Sequence, residues 1–445
     1  MKDLTKGNTT KLILQFAAPM LLGNVFQQLY NIIDSIIVGK FIGKEALAAV
    51  GASFPIIFTL ISFVIGISMG FTIIISQYFG AKNLEKVRST IETMYIFLFG
   101  AAIIISILGM LLSKQIFIWT GLPEDILPQA TLYLNVYFGG IIFFFGFNGT
   151  SSILRGLGDS KTPLYFLIIS TVMNIVLDLL FIVGFGWGVE GAAIATILAQ
   201  GGAFVTAIIY INRTNELTSL KTWRLKFDKL IFRKSLKIGL PSGLQQTFVS
   251  LGMIALFWIV NGFGTDTVAA YSVAMRIDSL ASMPAMNFAA ALTTFVGQNL
   301  GANRSDRIKL GLISTLKMSS LVCILLTIVI VIFKKPLMML FTNDITVIEI
   351  GAEYLVIVSS FYLVFTSLFI FGAIMRGAGD TIVPMFITLF ALWAIRIPVA
   401  LFLSKQIGVV GIWWAIPIGW AIGLLFSAIY YSTGRWKSKA VVQHN

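Results

Sequence analysis

The string Arg155-Gly-Leu-Gly-Asp-Ser-Lys-Thr-Pro163 returns 221 residues later as Arg376-Gly-Ala-Gly-Asp-Thr-Ile-Val-Pro384. The register holds elsewhere: Gly43 and Ala48 recur as Gly264 and Ala269, Gln77-x-x-Gly-Ala81 as Gln298-x-x-Gly-Ala302, and Tyr133-Leu134 as Tyr354-Leu355. The chain is therefore a duplicated unit. Apolar runs lie near 12–38, 53–79, 91–112, 130–151, 163–185, 191–211, 235–260, 277–297, 310–333, 350–373, 382–403 and 409–431. Each reaches the roughly 20 residues that a helix needs to cross about 30 Å of hydrocarbon. The expected fold is an all-α integral membrane protein, with twelve transmembrane helices in two six-helix repeats. Six is even, so both repeats enter the membrane in the same orientation, a parallel-repeat plan found in secondary transporters.

Composition agrees: 57% of the 445 residues are hydrophobic and 11% charged, more apolar surface than a soluble core could bury. The first run is too long for a cleaved signal and should lead directly into span 1. The single cysteine, Cys323, excludes a disulfide within the chain, and the single histidine, His444, leaves little for metal or imidazole chemistry. No nucleophile–base pair, nucleotide loop or metal cluster stands out, so no enzyme is expected.

The net charge of +13 points to membrane topology rather than to nucleic acid. With both termini in the cytoplasm, roughly 24 of the Lys and Arg residues fall inside, as the positive-inside rule asks. Lys40, Lys44, Lys114, Lys334, Lys335 and Lys405 fall outside. The segments expected are an N-lobe over 1–211, a basic cytoplasmic linker over 212–234 and a C-lobe with a short tail over 235–445. In the linker, Trp223, Leu225 and Phe227 alternate with cations such as Lys221, Arg224 and Lys226, a pattern suited to the headgroup level.

The Arg-Gly-x-Gly-Asp strings are not phosphate loops, because Ser160 stands where that loop needs glycine and the second copy lacks lysine. They read as short cytoplasmic turns in which Arg155 pairs with Asp159, Arg376 with Asp380, and the acids cap helix ends.

Intramembrane acids are the sharper signal, since a charge in hydrocarbon costs at least about 2.5 to 3.5 kcal/mol. Asp34 lies within span 1 and Asp178 within span 5. Gln27, Tyr30, Asn31 and Asp34 follow helical spacing on one stripe, as do Thr171, Asn174 and Asp178, while span 6 adds Thr196 and Gln200. Carboxylate, amide and hydroxyl oxygens suit Na⁺ as a hard cation, and suit a proton equally. Burial and mutual repulsion should keep a proton on one of the two acids near neutral pH. In the second repeat the matching positions are Ala255, Ile395 and Val399. There the expected charge pair is Arg276 with Asp278, and Arg396 in span 11 should snorkel or meet a carbonyl. Met173 and Phe147 offer polarizable and aromatic surface for an amphipathic cation. Pro19 is a breaker four turns below Asp34 and is the candidate hinge.

These residues carry a resemblance. Pro19, Gln27-Gln28 and Asp34, the helix ends Gln77-Tyr-Phe-Gly-Ala81 and Gln298-Asn-Leu-Gly-Ala302, both Arg-Gly-x-Gly-Asp turns and Glu190-Gly-Ala-Ala-Ile-Ala-Thr196 together resemble the multidrug and toxic compound extrusion family over essentially the whole chain. The resemblance implies two six-helix lobes around a central cavity, exporting organic cations and other drugs across the inner cell membrane against inward H⁺ or Na⁺. It implies no cofactor besides that coupling ion, and a monomer working in the lipid bilayer. The family's N-lobe cation site falls on Asp34, Asn174, Asp178 and Thr196, and its bending proline on Pro19. Helix 7 offers Gln245 and Gln246 where another branch carries an acid, so the chain resembles the N-lobe-site branch. The competing expectation is a flippase for lipids or lipid-linked sugars, which would need a basic cavity for a phosphate headgroup.

Overall fold

The computed structural model describes residues 2–214, 219 and 226–442, apart from the side chains of Leu60 and Phe63. Lys221, Trp223, Arg224, Leu225 and His444 lie outside the described residues, so the interfacial reading of the linker has no structural counterpart. Among the described residues the regular structure is entirely helical. Helices α1 (Thr9–Ile37), α2 (Lys44–Gly80), α3 (Leu84–Trp119), α4 (Leu127–Gly139), α5 (Ile141–Gly156), α6 (Lys161–Asp178) and α7 (Val189–Thr214) form the first series. Helices α8 (Lys229–Asn261), α9 (Thr265–Gly301), α10 (Ser305–Ile332), α11 (Lys334–Met339), α12 (Ile345–Ser359), α13 (Tyr362–Ala378), α14 (Ile382–Leu389), α15 (Ile397–Ile407) and α16 (Val409–Ser432) form the second. Nine described helices are long and apolar enough to cross a bilayer, and three bent pairs bring the spans to twelve.

Two of these spans are each broken into two helices. The pair α4/α5 bends by 51° and α12/α13 by 49°. At the first break Gly140 lies where an added Cβ would come within 2.3 Å of Ile197 on α7. The missing side chain therefore lets α7 approach. Hydropathy reports length but not such a bend.

The duplicated turns keep one geometry: Gly158 and Gly379, equivalent in the repeat, sit at φ +81° and +93°. Side chains with a Cβ are strained there, which explains the repeated glycine. The expected Arg–Asp pairs do not form. Asp159 accepts from the Lys161 and Thr162 amides and from Thr162 Oγ1, capping α6, while Arg155 Nη2 donates to Ser152 Oγ at 2.9 Å. In the second copy Asp380 accepts from Tyr430 OH at 2.5 Å, and Arg376 donates to the Phe369 carbonyl. The left-handed glycine ends each helix before the acid, so arginine and aspartate do not share a helical face.

The chain divides into two compact units, Met1–Lys2 with Ala18–Lys237, and Asp3–Ala17 with Ile238–Asn445. Each has its own apolar core, one reaching from Ile37 to Ile231 and the other from Leu256 to Ile416. The start of the chain thus completes the second unit. Leu4 is buried there; its amide donates to Gln298 Oε1 and its carbonyl accepts from Asn299 Nδ2. Arg307 donates to the Gly7 carbonyl at 2.9 Å and to Asn299 Oδ1 at 3.1 Å, and its guanidinium lies over the Phe295 ring. Thr10 donates to Ser314.

A matching strap completes the first unit. Lys86 Nζ meets Asp228 Oδ2 at 3.4 Å, the Asp228 amide donates to Thr93 Oγ1, and the Lys226 amide donates to Glu92. Lys86 and Arg307, Asp228 and Gly7, and Thr93 and Ser314 are repeat equivalents. Partial burial pushes the Asp228 carboxyl upward, but the Ile231 amide, Lys86 and the Leu230 amide together hold it below the usual carboxylate range.

The two straps differ in exposure. Arg307 is buried, whereas the Lys86 side chain is 43% exposed. Arg307→Ala leaves two acceptors without donors and should destabilise by about 2 kcal/mol; Lys86→Ala should cost under about 1 kcal/mol. Melting temperatures of the two detergent-solubilised variants check this, and equal losses would contradict it.

Candidate functional site

Within the first unit, α1, α6 and α7 bring together the acids and neutral oxygens expected from sequence. Asp178 and Asn174 are fully buried on α6, Thr196 is buried on α7, and Asp34 on α1 is half-buried. Asn174 Nδ2 donates to Thr196 Oγ1 at 3.4 Å, and Tyr30 OH meets the same hydroxyl at 3.2 Å. The carboxyls of Asp34 and Asp178 lie within electrostatic range of each other. Asp34 Oδ1, both Asp178 oxygens and Asn174 Oδ1 are shielded from solvent and find no donor among the described residues. Unpaired buried acceptors are costly, by about 1 to 3 kcal/mol each and more for charged groups. Four of them in one cluster form a place that a cation would satisfy.

The backbone loosens beside both acids. After α1 the chain continues as a π-helical turn, Val38–Ile42, and directly after Asp178 as another, Leu179–Gly184. Such wide turns recur at functional positions of helices.

The remaining candidates are less closely gathered. Gln27 and Asn31 are exposed on α1, one row away from Tyr30 and Asp34, and Gln200 is half-buried one turn beyond Thr196. Met173 packs against Gly202, where an added Cβ would stand 2.7 Å from its sulfur. Phe147 packs on the small cluster of Leu154, Phe166, Ala207 and Ile211. Pro19 is buried inside α1, two residues past the point at which that helix passes from the second unit to the first.

Two neighbours went unread in the sequence. Tyr133 and Tyr137, one turn apart on α4, are both buried; Tyr133 lies in electrostatic range of both acids, and Tyr137 in range of Tyr30. Tyr133 stood out only as a marker of the repeat. Its spacing of four from Tyr137 was the available signal, because it places two hydroxyls on one helical face.

In the second unit the expected Arg276–Asp278 pair does not form. Two residues on a helix point apart; Arg276 is exposed, and Asp278 accepts from Tyr362 OH at 2.6 Å. Arg396 ends the π-helical turn Phe390–Arg396, with its Nε shielded and without an acceptor among the described residues.

The family model MatE matches residues 19–180 and again 241–402, one match in each repeat. A probable multidrug resistance protein of Bacillus subtilis, YoeA, is 34% identical over 437 residues, covering 96% of this chain and 94% of its own. The probable multidrug resistance protein NorM of Thermotoga maritima is 30% identical over 446 residues, with 97% and 94% covered. A solved multidrug resistance transporter of the MATE family, in an outward-facing conformation, superposes with a TM-score of 0.91 at 24% identity and 99% coverage of both chains.

Proposed function

Because this chain belongs to the MatE family of multidrug efflux transporters, we propose that it exports organic cations and other drugs from the cytoplasm in exchange for inward-moving H⁺ or Na⁺. The observation that carries this reading is the set of donorless buried oxygens on Asp34, Asn174 and Asp178. A proton would satisfy one carboxyl and let it donate to the other. A sodium ion would draw on the same oxygens together with Thr196 Oγ1. Either would compete with a positively charged drug for the same negative charge, so loading the site from outside would favour release of drug there.

Gln27, Asn31 and Gln200, polar and at least partly exposed, are the proposed drug contacts beside the cluster, with Tyr30 joining the two. The proposed moving part is α1: its start is bonded within the second unit, its acid lies in the first, and Pro19 interrupts the hydrogen-bond ladder near the changeover. The protein would act as a monomer in an inner cell membrane with both termini in the cytoplasm. Two charges moving inward would gain about 4.6 kcal/mol per 100 mV, from about 2.3 per charge, whereas one-for-one exchange of monovalent cations would gain nothing from the potential.

The test is efflux of a fluorescent organic cation from proteoliposomes, first under an imposed pH gradient and then under a Na⁺ gradient. Export driven by either one identifies the coupling ion. Dye that moves under neither gradient would overturn the antiport reading.

A further inference from the structure

Arg155 opens onto a pocket that shares no residue with the acidic cluster. The pocket lies within the first unit, holds about 90 Å³, and is lined by Arg155, Asn148, Ser152, Ser68, Phe144 and Phe145 among others, with no acidic side chain. Among the described residues the Arg155 guanidinium has one partner, the Ser152 hydroxyl, for the five N–H donors such a group carries. Asn148 spends one N–H on the Phe144 carbonyl, which leaves the rest of its amide to the pocket. Arg155 lies in the last turn of α5 and is half-buried, and its remaining N–H donors beside a lining without acids suit an anion.

The repeat supplies an internal control. Arg376 occupies the equivalent position, but Asn148, Ser152 and Ser68 become Phe369, Ala373 and Ala289. Arg376 turns to the Phe369 carbonyl instead. The turn keeps its arginine in both copies, yet only the first copy surrounds it with hydrogen-bonding side chains. A purely structural role at the turn would not require that difference.

We infer that the Arg155 pocket anchors the carboxylate of zwitterionic or acidic amphipathic substrates. At about 90 Å³ the pocket is smaller than the roughly 150 Å³ cavity that takes up benzene, so it admits a carboxylate but not the body of a drug. A guanidinium offers that group paired N–H donors, with Asn148 and Ser68 beside it, and the Phe144 and Phe145 rings meet the adjoining carbon framework. The inference rests on the export reading above and extends its substrates to molecules bearing a negative group.

The test uses the purified full-length protein without any gradient, so that it stands apart from coupling. Binding of a rhodamine with a free carboxylate is measured against binding of the methyl ester of the same dye, for wild type, Arg155→Gln and Arg376→Gln. Arg155→Gln is expected to weaken the free acid about tenfold, the loss of one charge-assisted contact, and to leave the ester unchanged; Arg376→Gln should affect neither dye. Equal losses for both dyes, or no loss for the acid, would overturn the inference. Inorganic phosphate is the third probe: if it binds at Arg155 without displacing the acid dye, the pocket holds a free anion and not the substrate's carboxylate. Failure of gradient-driven export with this binding pattern intact would count against the export reading alone.

Discussion

Asp178→Asn is expected to reduce gradient-driven export to the level of empty liposomes while the protein remains folded in the membrane. Asparagine keeps the size of the side chain and removes both the negative charge and the exchangeable proton. Since both Asp178 oxygens lack donors, the substitution breaks no hydrogen bond and relieves repulsion from Asp34. Melting temperature should therefore hold or rise as transport disappears, a split that a structural role would not produce. Asp34→Asn should act in the same direction with a smaller residual defect in dye binding, because Asp34 is only half-buried. Full export by either variant in the proteoliposome assay would remove both acids from the coupling mechanism.

Gly411→Val should produce a severe loss of folded protein. Gly411 lies in the first turn of α16, and a Cβ added there would stand 2.4 Å from the carbonyl carbon and 2.5 Å from the carbonyl oxygen of Leu403 on α15. A side chain could rotate away; a backbone cannot. Overpacking costs typically about 1 to 3 kcal/mol, and occasionally more, and contact with a fixed main chain belongs at or above the upper end. At Gly202 the obstructing atom is the flexible thioether of Met173, so Gly202→Ala should cost under about 1 kcal/mol. Size-exclusion profiles and thermal melts of the two variants separate these outcomes.

Span number and repeat were legible because hydrocarbon thickness sets a length that apolar runs must meet, and because duplication leaves the same glycines at the same offset. The breaks near Gly140 and Phe361 were not legible. A bend arises from what a neighbouring helix presses against, and hydropathy is blind to it. At the acidic cluster, spacing gave the face of each helix, so Asp34 and Asp178 could be set on inward stripes. Their meeting with Thr196 depends on how three helices pack, which no single helix records. Tyr133 was read only as a marker of the repeat, so its place with Tyr137 beside the acids went unread. Arg155 was expected to pair with Asp159 across the turn; the left-handed Gly158 between them turns the acid to cap the next helix instead.

The exchanged straps have a consequence for synthesis. Gly7 leaves the ribosome 300 residues before its partner Arg307, a delay of about 15 to 60 s at roughly 5 to 20 residues per second. During that interval the Leu4 backbone lacks Gln298 and Asn299, the side chains that bond it in the folded protein. In the other strap the partners Lys86 and Thr93 are made before Asp228, so nothing further along the chain is awaited. The order of translation therefore makes the two pseudo-equivalent joints unequal: the first unit is sealed early, and the second waits for residues made at the very beginning.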